Sequence, residues 1–111
     1  MLTNRLPDGT EFLHNQVFQE ISRNQIQNLQ ESTGLGWELD QPRYMGKRAP
    51  EIIGKTGFTG CVMMIHRQKR RALVLLSNYI WPKRQPVERI HQVRRQLADA
   101  LFSAETLNSL D

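Results

Sequence analysis

Gly-Lys-Thr-Gly-Phe-Thr-Gly, at residues 54–60, is the stretch around which this chain is arranged. We predict that it belongs to a strand running from residue 51 to residue 58. Glycine weakens a strand, because it has no side chain to pack and loses more conformational freedom on folding. Three glycines within seven residues therefore indicate that another backbone or a ligand approaches closely, or that the strand bulges.

Two further strands are predicted after this stretch, at residues 61–66 and 72–78, with a hairpin turn at 67–71. Residues 72–76 are apolar at every position. Such a run is typical of a strand that is buried on both faces, so we expect a central strand with helices on either side.

The last segment of the chain is predicted to be an amphipathic helix, with Pro86 in its first turn. Its apolar stripe steps by three, four and four residues and should pack on the sheet. The same spacing would suit a helix that binds a partner. The stripe consists of Ile90, Val93, Leu97 and Leu101, while Arg89, Gln92, Arg95, Gln96 and Asp99 lie off it.

The first 40 residues are predicted to contain a tight turn at Pro7-Asp8-Gly9 and one helix from residue 13 to 23. Residues 1–5 are interpreted as the last turn of a helix whose body lies upstream. The apolar stripe of the predicted helix 13–23 is Leu13, Val17 and Ile21, with Phe18 beside it, and His14 should face solvent.

Residues 24–50 are predicted to form loops on either side of one short strand. The polar residues 24–33 are predicted to be a loop or a frayed helical turn, and the alternation that ends at Leu39 predicts a short strand containing Trp37. Residues 43–50 are rich in Gly, Lys and Arg and are bounded by prolines. We expect them to form a loop that passes in front of the sheet.

The length limits the chain to a single domain, and the predicted elements together indicate the α+β class, an antiparallel sheet flanked by helices. It has 111 residues, of which 39% are apolar and 23% charged, as in a globular protein. No run approaches the roughly 18 apolar residues of a membrane span, and the first residues do not resemble an export signal. Cys61 is the only cysteine, which excludes an internal disulfide and argues against a cysteine-based metal site. We expect it to be a small buried residue on a strand, and we predict no cofactor.

Basic residues are concentrated after residue 40, where there are thirteen basic and five acidic side chains, against two and six before it. One interpretation is a small basic module that contacts nucleic acid or an acidic protein through residues 67–71, Arg89, Arg94 and Arg95. Solvated charges explain the same pattern, and we consider a nucleic-acid partner the weaker interpretation.

The order of these elements resembles the C-terminal part of the serine β-lactamase and penicillin-binding protein superfamily, most closely the class C-like β-lactamases, esterases and peptidases. Residues 54–60 are similar to its Gly-(His/Lys)-Thr-Gly-Phe-Thr-Gly strand, residues 35–39 to its Gly-Trp strand, and residues 73–78 with Trp81-Pro82 to its last strand. Met1-Leu2-Thr3-Asn4 is similar to an internal helix end. The resemblance covers nearly all of this chain and about the last third of a family member, which implies a partial domain of the β-lactamase/transpeptidase-like fold.

The resemblance implies roles for four residues in one wall of an acyl-transfer site. Lys55 would supply positive charge to a substrate carboxylate and to the proton network of the nucleophile, and Thr56 would offer its hydroxyl to the carboxylate. Gly57 would let the substrate backbone lie against the strand. The backbone N–H of Phe58 would be one of two oxyanion donors.

The rest of that site is absent from the sequence. No serine begins a Ser-x-x-Lys motif, and neither tyrosine begins a Tyr-x-Asn motif, so the chain alone should be inactive. The resemblance implies a missing N-terminal portion and a small-molecule or peptidoglycan-like substrate. Family members are bacterial and often exported, but neither compartment nor substrate follows from this sequence.

The last strand has a further implication in the related fold, where it pairs with a strand from the N-terminal region. We predict that its free edge is paired here with a second copy of the chain, giving a homo-oligomer.

Overall fold

The computed structural model describes residues 3–26 and 32–103. The helices are α1 (Asn15–Glu20), α2 (Pro42–Met45) and α3 (Val87–Phe102), with a 3-10 helix at Gly46–Glu51 between α2 and the sheet. The strands are β1 (Ser32–Thr33), β2 (Glu38–Leu39), β3 (Ile52–Thr56), β4 (Val62–His66) and β5 (Arg71–Leu75). The predicted α+β class is confirmed.

The sheet is antiparallel throughout, and its strands follow one another in chain order from β1 to β5. The register between β3 and β4 pairs Gly54 with Met64 and Lys55 with Met63. Because side chains alternate along a strand, this register divides the sheet into two faces. We call the face of Gly54 and Met64 the helix face, and the face of Lys55 and Met63 the open face.

The main core lies on the helix face, between the sheet and the α2–α3 layer. Tyr44, Met45 and Ala49 are fully buried there. The prediction of a loop at residues 43–50 was therefore wrong. Proline suits the first turn of a helix, so Pro42 begins α2 instead of bounding a loop.

A smaller core covers part of the open face. Ile53 and Ile65 of the sheet pack with Ile21 and Leu39, and Leu13, Phe18 and Trp37 contact this group. The predicted helix 13–23 is shorter than expected, because only Asn15–Glu20 is helical. Val17 from the predicted stripe is 47% exposed, because Leu13, Phe18 and Ile21 are the residues of this region that pack in the smaller core.

The C-terminal helix was predicted correctly in type and packs on the sheet, but its buried face is rotated from the predicted stripe. Ile90 is buried and Leu101 is partly buried, whereas Val93 and Leu97 are exposed. The buried residues of α3 are Ile90, His91, Arg94, Ala98 and Phe102. The small Ala98 permits close packing, and Arg94 can be buried because backbone carbonyls accept its hydrogen bonds. Pro86 is the N-cap of α3 and not part of its first turn.

The last strand is an edge strand, so the prediction of a central strand buried on both faces was wrong. β5 pairs with β4 on one side, and no described residue pairs with its other side. Leu73 and Leu75 contact the main core, while Val74 and Leu76 are 54% and 80% exposed. Its apolar sequence therefore gives one buried face and one solvent-exposed apolar face.

The N-terminal region matches the sequence predictions in part. The turn at Pro7-Asp8-Gly9 is confirmed, with the N–H of Gly9 donating to the carbonyl of Leu6 at 2.8 Å. Residues 3–5 form a bend and a bridge to Glu11 instead of a helix end, and residues 1–2 lie outside the described range. Part of the predicted polar loop 24–33 is strand β1, while residues 27–31 lie outside the described range.

Candidate functional site

The Gly54–Gly60 stretch is half strand and half turn. β3 ends at Thr56, two residues earlier than predicted. The N–H of Gly57 donates to the carbonyl of Cys61 at 2.8 Å, and the N–H of Gly60 donates to Gly57 at 3.1 Å. Gly60 has a φ of +104°, a conformation that favours glycine, and this ends the turn.

The expected close approach to the glycine-rich strand is found at Gly54. A β-carbon there would lie 2.9 Å from the carbonyl oxygen of Met63, 3.1 Å from the Met45 methyl and 3.3 Å from the Tyr44 hydroxyl. Real β-carbons essentially never come within 3.0 Å of another atom, so the carbonyl of Met63 in β4 favours glycine at this position, and the two α2 side chains leave little further room. The close neighbours are the chain's own residues, and they make Gly54 part of the fold's packing.

Lys55 lies on the open face, on the side of the sheet that α3 does not cover. Its side chain is exposed, and no described residue forms a hydrogen bond or ion pair with its ammonium group. Lys55, Thr56 and Gly57 line a shallow groove of about 340 Å³ together with Trp37, Met63, Val74 and Leu76. The groove wall is otherwise almost entirely apolar.

Phe58 does not line this groove. It lies in the turn, where its side chain is 71% exposed and the Arg84 guanidinium sits 5.4 Å from its ring centroid. Within the described part of the chain, no backbone carbonyl accepts a hydrogen bond from the N–H of Phe58. Three of the four predicted site residues are thus adjacent in one groove, while the fourth turns towards a second one.

The second groove lies between the 57–60 turn, the segment 79–86 and the start of α3, and we call it the α3 pocket. It has a volume of about 430 Å³, within the usual range for small-ligand sites. Thr56, Gly57 and Phe58 contribute to its rim, and His91 and Arg94 of α3 line it. Sequence reasoning missed this pocket, because it considered Arg94 only as a surface contact of the alternative basic module.

Arg94 is 2% exposed and holds the turn against α3. Its Nη2 donates to the carbonyls of Gly60 at 2.7 Å and Cys61 at 3.2 Å, and its Nη1 donates to Nδ1 of His91 at 3.0 Å. Since Nδ1 accepts, the neutral His91 ring carries its proton on Nε2. Burial, with Arg94 and Arg43 nearby, lowers the pKa of His91, so the ring is uncharged at neutral pH.

Several arginines of the predicted basic surface are buried or bound within the domain. Arg94 is buried, and Arg71 is buried with its Nη1 donating to the carbonyl of Leu101 at 2.9 Å. Arg95 is bound to the carboxylate of Glu88 and to the carbonyl of Arg43. The predicted arginine surface is therefore wrong for Arg94 and Arg71, which serve the packing of the domain.

Cys61 lies just before β4 and is half-buried, so it is not the fully buried strand residue that was predicted. Its Sγ lies 3.4 Å from the Thr59 hydroxyl and accepts from the N–H of Ser77 at 3.3 Å. These hydrogen bonds, that of Thr59 first, lower the pKa of the Cys61 thiol. The cysteine joins the turn to the segment after β5.

Further observations on the described residues concern possible metal sites, membrane spans and His14. Over residues 3–26 and 32–103, no group of three metal-binding side chains comes together, and no helix is long and apolar enough to cross a membrane. His14 caps α1, where its Nδ1 accepts from the N–H of Gln16 at 3.3 Å, and it is exposed as predicted.

Comparison with known proteins finds no matching family model, no matching curated protein and no matching solved structure.

Proposed function

We propose that this chain is the C-terminal portion of a β-lactamase-like domain and forms one wall of a serine acyl-transfer site. In this proposal the Ser-x-x-Lys nucleophile and its general base come from outside residues 1–111. The substrate is a small molecule or a peptidoglycan-like acyl compound. The chain alone does not catalyse the reaction.

The observation that carries the proposal is the environment of Lys55. An exposed ammonium group without a partner in the described structure lies at the end of a rigid strand, next to Thr56 and Gly57. The surrounding groove is apolar, and a charge acts more strongly beside a low-dielectric wall than in open water. A substrate carboxylate placed in this groove would be held by the Lys55 ammonium group, whereas the Thr56 side chain, one residue further along the strand, alternates to the helix face.

Phe58 supports the same arrangement through its backbone. Its N–H, which has no backbone acceptor within the described residues, follows directly after Gly57 in the turn. A backbone N–H directed at a developing oxyanion is typically worth roughly 2.7–4 kcal/mol in the transition state. The second oxyanion donor would be the N–H of the nucleophilic serine.

The opposite wall of the proposed site would pack on the open face of the sheet. Met63, Val74 and Leu76 are exposed beside Lys55, and Ala72 continues this apolar surface. Such a surface suits a covering layer, which in the related fold carries the nucleophile helix. The groove along Lys55 would then become a closed cleft between two walls.

The test uses the protein in which residues 1–111 and a Ser-x-x-Lys segment occur together, treated with fluorescent penicillin and with a fluorophosphonate. We expect a covalent adduct on the serine of that motif, identified by peptide mass spectrometry, and none on the isolated chain. Lys55→Ala should slow acylation by about tenfold or more, because a charge-assisted contact is lost.

Lys47→Ala is the matched control, because Lys47 is an exposed lysine on the 3-10 helix of the helix face. It should leave the acylation rate unchanged. Equal rates in the two variants would remove Lys55 from the site. Absence of any adduct with both reagents would contradict the proposed reaction.

A further inference from the structure

We propose that the α3 pocket binds a small organic anion, with one carboxylate or phosphate group on an apolar body. The pocket lies on the α3 side of the sheet and is not lined by Lys55, although Thr56 and Gly57 border both this pocket and the groove along Lys55. The inference therefore goes beyond the proposed acyl-transfer site and does not depend on it.

The charges around the α3 pocket have one sign. The lining includes Arg43, Arg84 and Arg94, while no Asp or Glu of the described residues lines it. The nearby carboxylates are already engaged, since Glu38 is paired with Arg43 at 3.2 Å and Glu88 with Arg95 at 2.9 Å. Arg84 and Arg94 therefore face a cavity whose described lining carries no negatively charged side chain.

Arg94 gives the strongest indication that an anion belongs there. It is 2% exposed, and no described carboxylate forms an ion pair with it, so a buried positive charge lacks a counter-ion. Its Nε is buried and has no hydrogen-bond partner among the described residues. A buried charge without a counter-ion is costly, and an anion in the adjoining pocket would offset that cost.

The start of α3 adds to the positive electrostatic potential in the α3 pocket. Gln85, Pro86 and Val87 line the pocket, so the N-terminal end of this 16-residue helix borders it. No side chain caps its first N–H groups. The positive end of the helix dipole therefore supports Arg84 and Arg94 in attracting negative charge.

The remaining lining determines what kind of anion would fit. Phe58, Ile80, Val87 and Ile90 give the pocket apolar walls, and its volume of about 430 Å³ exceeds that of a simple inorganic ion. The cation–π contact with Phe58 holds the Arg84 guanidinium at the rim. A charged head would meet the arginines, while an aromatic or aliphatic body would lie on the apolar walls.

The test is a titration of the isolated chain with phenyl phosphate and with benzoate, followed by calorimetry and by amide chemical shifts. Benzyl alcohol serves as the uncharged probe. We expect saturable binding of at least one anion, with shifts concentrated at Gly60 and at residues 87–90. Arg84→Gln should raise the dissociation constant by about tenfold or more, and Arg94→Lys should weaken binding if its circular dichroism spectrum is that of the wild type.

Arg89→Gln is the matched control, since it removes the same charge from an exposed residue of α3 that does not line the pocket. Its dissociation constant should equal that of the wild type, as should that of Lys55→Ala. The proposal is overturned if benzyl alcohol binds as well as the anions, if Arg84→Gln and Arg89→Gln weaken binding equally, or if no anion saturates the pocket. Loss of penicillin acylation in Lys55→Ala with unchanged anion binding would separate the two sites.

Discussion

Gly60 combines two constraints that make it the least replaceable glycine of the turn. Its φ of +104° lies in a region that other residues rarely adopt, and a β-carbon there would meet Tyr79 Cβ at 2.9 Å and Ser77 Oγ at 3.0 Å. Its carbonyl also accepts from Arg94. Both the turn geometry and the packing of the segment after β5 thus depend on this position.

We predict that Gly60→Ala destabilises the protein by more than Gly9→Ala, although both positions have positive φ. Gly9 has a φ of +90° with nothing within 4 Å of the added β-carbon, so it reports the backbone cost alone, about 1–2 kcal/mol. The crowding at Gly60 should add a further ~1–3 kcal/mol. Urea denaturation of both variants measures the difference, and equal losses would show that the close approach at Gly60 is not maintained in solution.

Arg94 is the residue at which sequence reasoning failed most clearly. Charged residues are usually solvated, and the sequence suggested Arg94 only as a surface contact of the alternative basic module. It is buried because the carbonyls of Gly60 and Cys61, more than 30 residues away, accept its hydrogen bonds. No local pattern in α3 could indicate those acceptors.

His66 and Glu51 connect two elements, since Glu51 ends the 3-10 helix and His66 ends β4. Nε2 of His66 lies 2.6 Å from Oε2 of Glu51, and Nδ1 accepts from the N–H of Lys69 at 3.2 Å. The neutral tautomer with its proton on Nε2 therefore satisfies both contacts. Hydrogen bonding from His66 lowers the pKa of Glu51.

A pKa lowered in the folded state means that the Glu51 carboxylate adds stability above its unfolded pKa of 4.5, and that this is lost as the pH falls through the folded value. We predict that Glu51→Gln lowers the melting temperature at pH 7 and that the gap from wild type narrows as the pH approaches 3. Thermal unfolding between pH 3 and 7 checks this. Glu11→Gln is the control, and a gap that is independent of pH would exclude a role for Glu51 ionisation.

The elements differ in how far their sequences determined them. β4 was predicted within one residue, and α3 was predicted as an amphipathic helix after Pro86, because their patterns are regular. The α2 layer was missed, since Tyr44, Met45 and Ala49 are scattered among charged residues and proline. Tyr44 and Met45 pack against Gly54 of β3, where an added β-carbon would lie 3.3 Å from the Tyr44 hydroxyl and 3.1 Å from the Met45 methyl.

At the scale of the whole molecule, the described residues leave the β5 edge unpaired beside the exposed apolar side chains of Met63, Val74 and Leu76. β5 has five residues, contains no proline and has no charge after Arg71. Native proteins usually protect such an edge with a charge, a proline or a covering segment. We propose that the edge pairs with the same strand of a second copy when no other strand occupies it.

We predict that the isolated chain is a dimer and that Val74→Lys shifts it to monomer, because a charge on an exposed edge opposes strand addition. Light scattering across a wide concentration range is the measurement. Val17→Lys is the matched control, as Val17 is a valine of similar exposure on α1. A wild-type chain that remains monomeric at all concentrations, or equal effects of both lysine variants, would refute pairing through β5.

The sequence by itself determined the α+β class, the three main strands, the C-terminal helix and the turn at residues 7–9, because each depends on local periodicity or turn chemistry. It also singled out Lys55, Thr56 and Gly57, which lie together in one groove. Only the tertiary structure decided that β5 is an edge, that residues 43–50 belong to the core and that Arg94 lines a pocket. Those outcomes depend on which distant residues fill space and accept hydrogen bonds, and a local pattern does not specify them.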